Sequence, residues 1–237
     1  MTDDSLSERL VQSLEAARAK EAVLLDLCDD SPPAEAGRWT VRDNIAHLNT
    51  WREHAVHTLD AVRLGKPLEG PANESDLDVR NAEIYETHKG DSAADVRAGH
   101  AGTYAALIAA VRACSEEDLL RERPGNGGET WLIVPGNGHA HVAQHLSYLA
   151  ADNGDPAGAE SAAKWAHDLD IELFPEQKPV ADYNFACFYA RNGHADEALP
   201  LLQASLLARP DLRRFALEDA DLAPIRDDPR VESLLSA

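Results

Sequence analysis

The sequence predicts an all-α protein, because apolar residues recur at helical spacing along most of its length and no segment sustains a period-2 alternation. Clusters of Pro, Gly, Asp and Asn fall between the periodic stretches, where helices must stop. The first helix is expected from about Ser5 to Leu27, with Leu10, Leu14, Ala17, Ala22, Leu24 and Leu25 as its apolar positions. Asp29-Asp30-Ser31-Pro32-Pro33 ends it, since proline lacks the amide donor and clashes with the preceding turn. The second helix begins at Thr40, whose hydroxyl can cap free amides while Asp43 reciprocates and favours the positive helix end. Val41, Ile45, Leu48, Ala55, Leu59 and Val62 line one face to about Leu64, and Gly65-Lys66-Pro67 with Gly70-Pro71 close it. A third helical region takes in Asn81 to His88, and a longer helix follows from about Ser92 to Ala113, capped by Asp91 or Ser92. Arg123 to Gly138 holds seven glycines or prolines and reads mainly as a loop. A last helix runs from near Gly138 to about Ala151. Four substantial helices with short to medium connections predict an antiparallel four-helix bundle over residues 1–154.

Asp152-Asn153-Gly154-Asp155-Pro156 is the expected boundary, and the pattern changes beyond it. A helix is expected from about Ala157 to Leu169. Tyr183 to Gly193, and on through Ala198, Leu202 and Pro210, then resembles a tetratricopeptide repeat, in which small residues let two helices approach closely. Leu217 to Leu222, Ile225 and Leu234-Leu235 resemble the capping helices that follow such repeats. Residues 155–237 therefore form a short helical-hairpin domain. One and a half repeats fall short of the roughly three units that bury a continuous core. The tail is thus expected to lean on the bundle, on a second copy of the chain in a homodimer, or on a protein partner.

With 237 residues, 44% hydrophobic and 27% charged, the chain has the composition of an ordinary folded domain. Its formal charge of −20 is distributed over both parts, −12 up to Gly154 and −8 beyond. An acidic surface repels phosphate backbones and anionic lipid, so neither nucleic acid nor a membrane is expected as a partner. No stretch reaches the roughly 18 apolar residues of a membrane span. The opening Met1-Thr2-Asp3-Asp4-Ser5 has neither a basic start nor an apolar run, so no signal peptide is expected. Three widely spaced cysteines, Cys28, Cys114 and Cys187, suit buried thiols in a reducing cytoplasm better than a disulfide framework.

Six of the ten histidines fall in two short windows, His47, His54 and His57 in one and His139, His141 and His145 in the other. His141 and His145 stand at i and i+4, neighbours on one helix face beside the apolar arc of Val142, Leu146 and Leu149. His47 borders the arc of Ile45, Leu48 and Trp51. His54 lies about 10 Å farther along the axis, too far to share with His47 an ion whose bonds to nitrogen are about 2.0–2.1 Å. His139 reads as a turn residue, His54 and His57 as partly solvated, Asp43 as a cap, and Trp39 and Trp51 as core or pocket walls. The glycines at 125, 127 and 128 do not make a phosphate loop, because the Gly-Lys-Ser/Thr ending is absent.

Gly37-Arg38-Trp39-Thr40-Val41-Arg42-Asp43-Asn44-Ile45-Ala46-His47-Leu48-Asn49-Thr50-Trp51 resembles the second-helix signature of the DinB/YfiT-like four-helix bundles. Asn81-Ala82-Glu83-Ile84-Tyr85 and Gly138 to His145 are similar to the ClbS/DfsB-type branch, and the likeness covers most of residues 5 to 153. By this resemblance His47, His141 and His145 correspond to three histidines that commonly bind a divalent metal and leave coordination positions open. Three neutral nitrogens suit zinc, nickel or iron better than calcium or magnesium.

The leading expectation is a metal-dependent enzyme acting on a small molecule, with hydrolysis as the simplest chemistry and detoxification or self-protection as the purpose. In it the loop from Arg123 to Gly138 shapes the entrance. A second expectation is a transferase or isomerase that uses a low-molecular-weight thiol, as related bundles do. Arginine outnumbers lysine 17 to 5, which suits a GC-rich bacterial genome. A third is a non-catalytic binding or scaffold protein that recruits a partner through its tail.

Overall fold

A computed structural model describes residues 4–33, 38–68, 74–123 and 128–236 of the chain, the side chains of 74–76 excepted. Gly37, Gly70, Pro71 and the glycine run at 125–127 lie outside the described residues, and with them part of the expected entrance loop. The protein is all-α: among the described residues there is no strand, only an isolated bridge between Glu122 and Glu129. The chain divides into two compact units, residues 1–146 and 147–237.

In the first unit, α1 spans Leu6–Leu27, α2 Val41–Leu64, α3 Glu74–His88, α4 Ala93–Ala113, α5 Glu116–Leu120, α6 Ile133–Asn137 and α7 His139–Asp152, the last carrying the chain into the second unit. The starts follow from side-chain chemistry. Ser5 and Glu8, Thr40 and Asp43, and Ser115 and Asp118 each make a reciprocal capping box. The Ser92 hydroxyl accepts from the Asp95 amide and opens α4. Gly65, at φ +63°, ends α2 in a left-handed turn that a side chain would strain. Arg97 reaches from α4 to the carbonyls of Leu25 and Cys28, closing the C-terminal end of α1.

α2 packs chiefly against α4, and α1 also packs on α4. Leu10, Leu14 and Leu24 of α1, Ile45, Leu48 and Leu59 of α2, and Tyr104, Leu107 and Val111 of α4 are all buried. At Gly99 a Cβ would fall 2.9 Å from the side-chain nitrogen of Asn49, so a larger residue would push that side chain off its bond to the Val96 carbonyl. Two expectations need correction. The apolar stripe of α1 was expected to include Ala22, which is exposed; Glu21 is wholly buried instead, because an arginine on α2 pairs with it. The segment read as a loop after Arg123 contains a 3-10 turn at Thr130–Leu132 and then α6. Burial of Trp131, Ile133 and Val134 overrides its glycines, and Pro135 sits in the first turn of α6, where the amide it lacks has no helical partner.

The second unit contains α8 (Pro156–Leu173), α9 (Lys178–Arg191), α10 (Ala195–Ala208), α11 (Leu212–Glu218) and α12 (Pro229–Ser236). Asp155 caps α8 ahead of Pro156, the position where proline is best tolerated. Gly193, at φ +74°, turns the chain between α9 and α10. Ala186, Ala190 and Ala198 let those helices close on a core shared with Leu202, Leu206 and Val231.

Candidate metal centre

Three imidazoles from two helices meet in the first unit. His47 is on α2, and His141 and His145 are one turn apart on α7. Their Nε2 atoms face one another, 3.2 Å from His47 to His141 and 3.2 Å from His145 to His141. Ring centroids lie 4.9–5.0 Å apart for all three pairs. One nitrogen from each ring lies within 4.8 Å of the others, so the group could hold a metal ion. Two nitrogens 3.2 Å apart can each stand about 2.0–2.1 Å from the same ion.

The electrostatics favour ligands over charges. Burial pulls His47 down to about 4 and His145 down to about 3, and it pulls His141 well below the usual histidine value. For His145 the charges of His47 and Arg52 add to burial, and for His141 those of His145, His47 and Arg52 do. Near neutral pH each ring is uncharged and offers a lone pair, the form a metal takes. The Nδ1 atoms of His47 and His141 are buried without a hydrogen-bond partner among the described residues. The Nδ1 of His145 is 2.6 Å from the Asn44 side-chain oxygen. The three Nε2 atoms, by contrast, converge on one another, an arrangement that suits a shared donor set.

Aromatic side chains wall the site. Trp39 lies 5.1 Å from the His47 ring and stacks on Tyr85 of α3 at 5.7 Å. Trp51 lies 6.3 Å from His47 on its other side, and its indole N–H donates to Asn81. From Thr50 and Trp51, one turn past His47, a cleft of about 760 Å³ runs along α2 toward Ala61, with α3 residues such as Arg80 and Glu83 opposite. That size suits a small molecule. His54 and His57 line this cleft and take no part in the triad. His54 is held below its ordinary pKa by burial first and by Arg80, Arg123 and His57 after that.

Other residues singled out in the sequence fall as follows. Asp43 caps α2 and accepts from the Thr40 amide and hydroxyl. His139 is not a turn residue: it begins α7, is fully buried, and its Nδ1 is 3.1 Å from the Ser13 hydroxyl of α1. All three cysteines are buried and free, and burial raises each thiol above its ordinary pKa, Cys114 to about 11.

Sequence reasoning missed three features. Asn44 touches the triad, and its place on the turn before His47 was the available signal. His88 has Nδ1 2.7 Å from Asp91 and Nε2 3.3 Å from the hydroxyl of Thr50, which lines the cleft; the i,i+3 pairing of His88 with Asp91 was readable, but Thr50 was not. Arg52 is fully buried and pairs with Glu21, which no periodicity could reveal.

The family model of the DinB superfamily matches residues 6–149. No curated protein and no solved structure matches the chain.

Proposed function

The chain belongs to the DinB superfamily, and from that premise we propose that it is a metal-dependent enzyme acting on a small molecule by hydrolysis, in detoxification or self-protection. His47, His141 and His145 hold the ion through their Nε2 atoms, and zinc, nickel or iron suits three uncharged imidazoles. The observation that carries this reading is the convergence of three neutral nitrogens, from helices far apart in sequence, within 4.8 Å of one another. The superfamily is generally metal-binding, which supports it.

When bound, such an ion supplies a Lewis acid toward a substrate oxygen or sulfur. The remaining work falls to the chain itself. Trp39, Tyr85 and Trp51 exclude water around the rings. The cleft along α2 and α3 receives the rest of the substrate. His54 and His57 line the cleft and can move a proton there, and His88, held at Nδ1 by Asp91, reaches it through Thr50. The enzyme works in the cytoplasm, consistent with three free buried thiols and with no described helix long and apolar enough to cross a membrane.

Metal analysis of protein purified without a histidine tag tests the proposal. One divalent transition-metal ion per chain, lost in His145→Ala, is expected; no bound ion in the wild type overturns it. Incubation with candidate electrophiles and thiols then separates hydrolysis from thiol transfer, since only transfer leaves a thiol adduct.

A further inference from the structure

We infer that Asn44 is a positioning residue that fixes the tautomer and orientation of His145, so that the Nε2 lone pair points at the other two imidazoles. This rests on the metal reading above and goes beyond it by assigning a residue that is not a ligand.

The capping box of Thr40 and Asp43 sets where α2 begins, and hence where Asn44 falls on its first turn. The Asn44 side-chain amide lies 2.7 Å from the Thr40 carbonyl. A carbonyl only accepts, so the atom facing it must be Nδ2, and Oδ1 is thereby turned to the other side. There it meets Nδ1 of His145 at 2.6 Å. An amide oxygen also only accepts, so Nδ1 of His145 must carry the proton. In a neutral ring that leaves Nε2 bare. The bare nitrogen is the one 3.2 Å from His141 Nε2, inside the triad.

A chain of single-valued donors and acceptors thus runs from a helix cap to one ligand atom. The other two rings have no such support: among the described residues, Nδ1 of His47 and of His141 engages nothing. A partner on the outer nitrogen holds the ring in place and raises the basicity of the inner one. His145 is therefore the pre-set member of the triad, and Asn44 is what sets it.

The test uses the full-length chain, zinc as the probe, and two variants. Asn44→Asp keeps an acceptor for Nδ1 but loses the donor to Thr40, whereas Asn44→Ala loses both. In metal-free protein, long-range proton–nitrogen NMR of labelled histidines should show His145 protonated on Nδ1 in the wild type and in Asn44→Asp, and a mixture of tautomers in Asn44→Ala. Zinc affinity, by competition with a chromophoric chelator, should fall about 10- to 100-fold in Asn44→Ala and stay near wild type in Asn44→Asp. An unchanged tautomer in Asn44→Ala overturns the inference. So does an equal loss of affinity in both variants, which would trace the effect to the Thr40 contact. If the wild type takes up no zinc, the metal reading fails by itself, and the tautomer comparison still decides the role of Asn44.

Discussion

Helix α2 contributes to two buried polar clusters, the imidazoles around His47 and the ion pair around Arg52, and their hydrogen bonding differs sharply. Arg52 and Glu21 are both fully buried and charged, and nearly every donor has an acceptor. Two guanidinium nitrogens meet the two Glu21 oxygens at 2.9 and 3.3 Å, and the third donates to Thr103 at 3.1 Å. Asn49 accepts from the same guanidinium at 2.6 Å, and the Tyr104 hydroxyl donates to Glu21 at 2.8 Å. The Tyr104 ring lies 4.2 Å beneath the guanidinium, and burial, then the Glu21 charge, raises its phenol well above the ordinary pKa. The histidine cluster is uncharged, and its Nε2 atoms converge on one another, 3.2 Å from His141 to each of the other two. Paired charge marks the first cluster as a tie among α1, α2 and α4; convergent uncharged lone pairs mark the second as a place for an ion to bind.

The largest effect belongs to the ion pair. Glu21→Ala strands a buried guanidinium and should cost about 3–5 kcal/mol in chemical denaturation of metal-free protein. Glu21→Leu with Arg52→Met, which removes both charges, should recover most of that loss. A mild effect of Glu21→Ala would mean that the cluster is not the tie described.

The histidine cluster should behave in the opposite sense. Free zinc at about 100 times its Kd should stabilise the wild type by about 2.7 kcal/mol and leave His145→Ala unaffected. Without metal, His145→Ala should cost about 1–3 kcal/mol, less than Glu21→Ala, because a buried ring and its bond to Asn44 are lost but no charge is stranded.

Acid should weaken the metal-free fold through the same rings. His47 and His145 titrate near 6.5 in an unfolded chain, but burial holds them at about 4 and about 3 in the folded one. Above 6.5 neither state binds these protons and the rings are silent. As the pH falls below that value the unfolded state takes them up first. Folding then loses up to about 1.4 kcal/mol per pH unit for each ring until its folded value is reached. Thermal melts of the His47→Gln, His145→Gln variant should show a flatter dependence from pH 6.5 toward 4.

The smallest effect is the cap. Thr40→Ala should cost about 1 kcal/mol of stability by denaturation. It should also weaken zinc binding, because Asn44 sits in the turn that Thr40 starts. Ser5→Ala, at the start of α1, should cost about the same and leave zinc binding alone.

Much of this was legible from local chemistry. The cap at Thr40 with Asp43, the stop at Gly65 and the i,i+4 pairing of His141 with His145 are short-range features, each readable from a few adjacent residues. The link from that pair to His47 came from the likeness to a known helix signature, since nothing in the spacing joins residues 94 apart. Glu21 was passed over in favour of Ala22 because helical periodicity ranks positions by apolarity and cannot see a charge across the core. α6 was passed over because glycine and proline weaken a helix locally, whereas the burial of Trp131 and Val134 that secures it is a tertiary effect.

Helical character, the starts of α1, α2 and α4 and the clustering of imidazoles on two segments are all written in local sequence. Those properties depend on hydrogen bonds and periodicities that span a turn or two. That the three Nε2 atoms meet, that Asn44 reaches His145 and that Arg52 finds Glu21 came from the packed molecule alone. Each of those is a distance between helices, fixed by how the cores pack, and no local pattern encodes it.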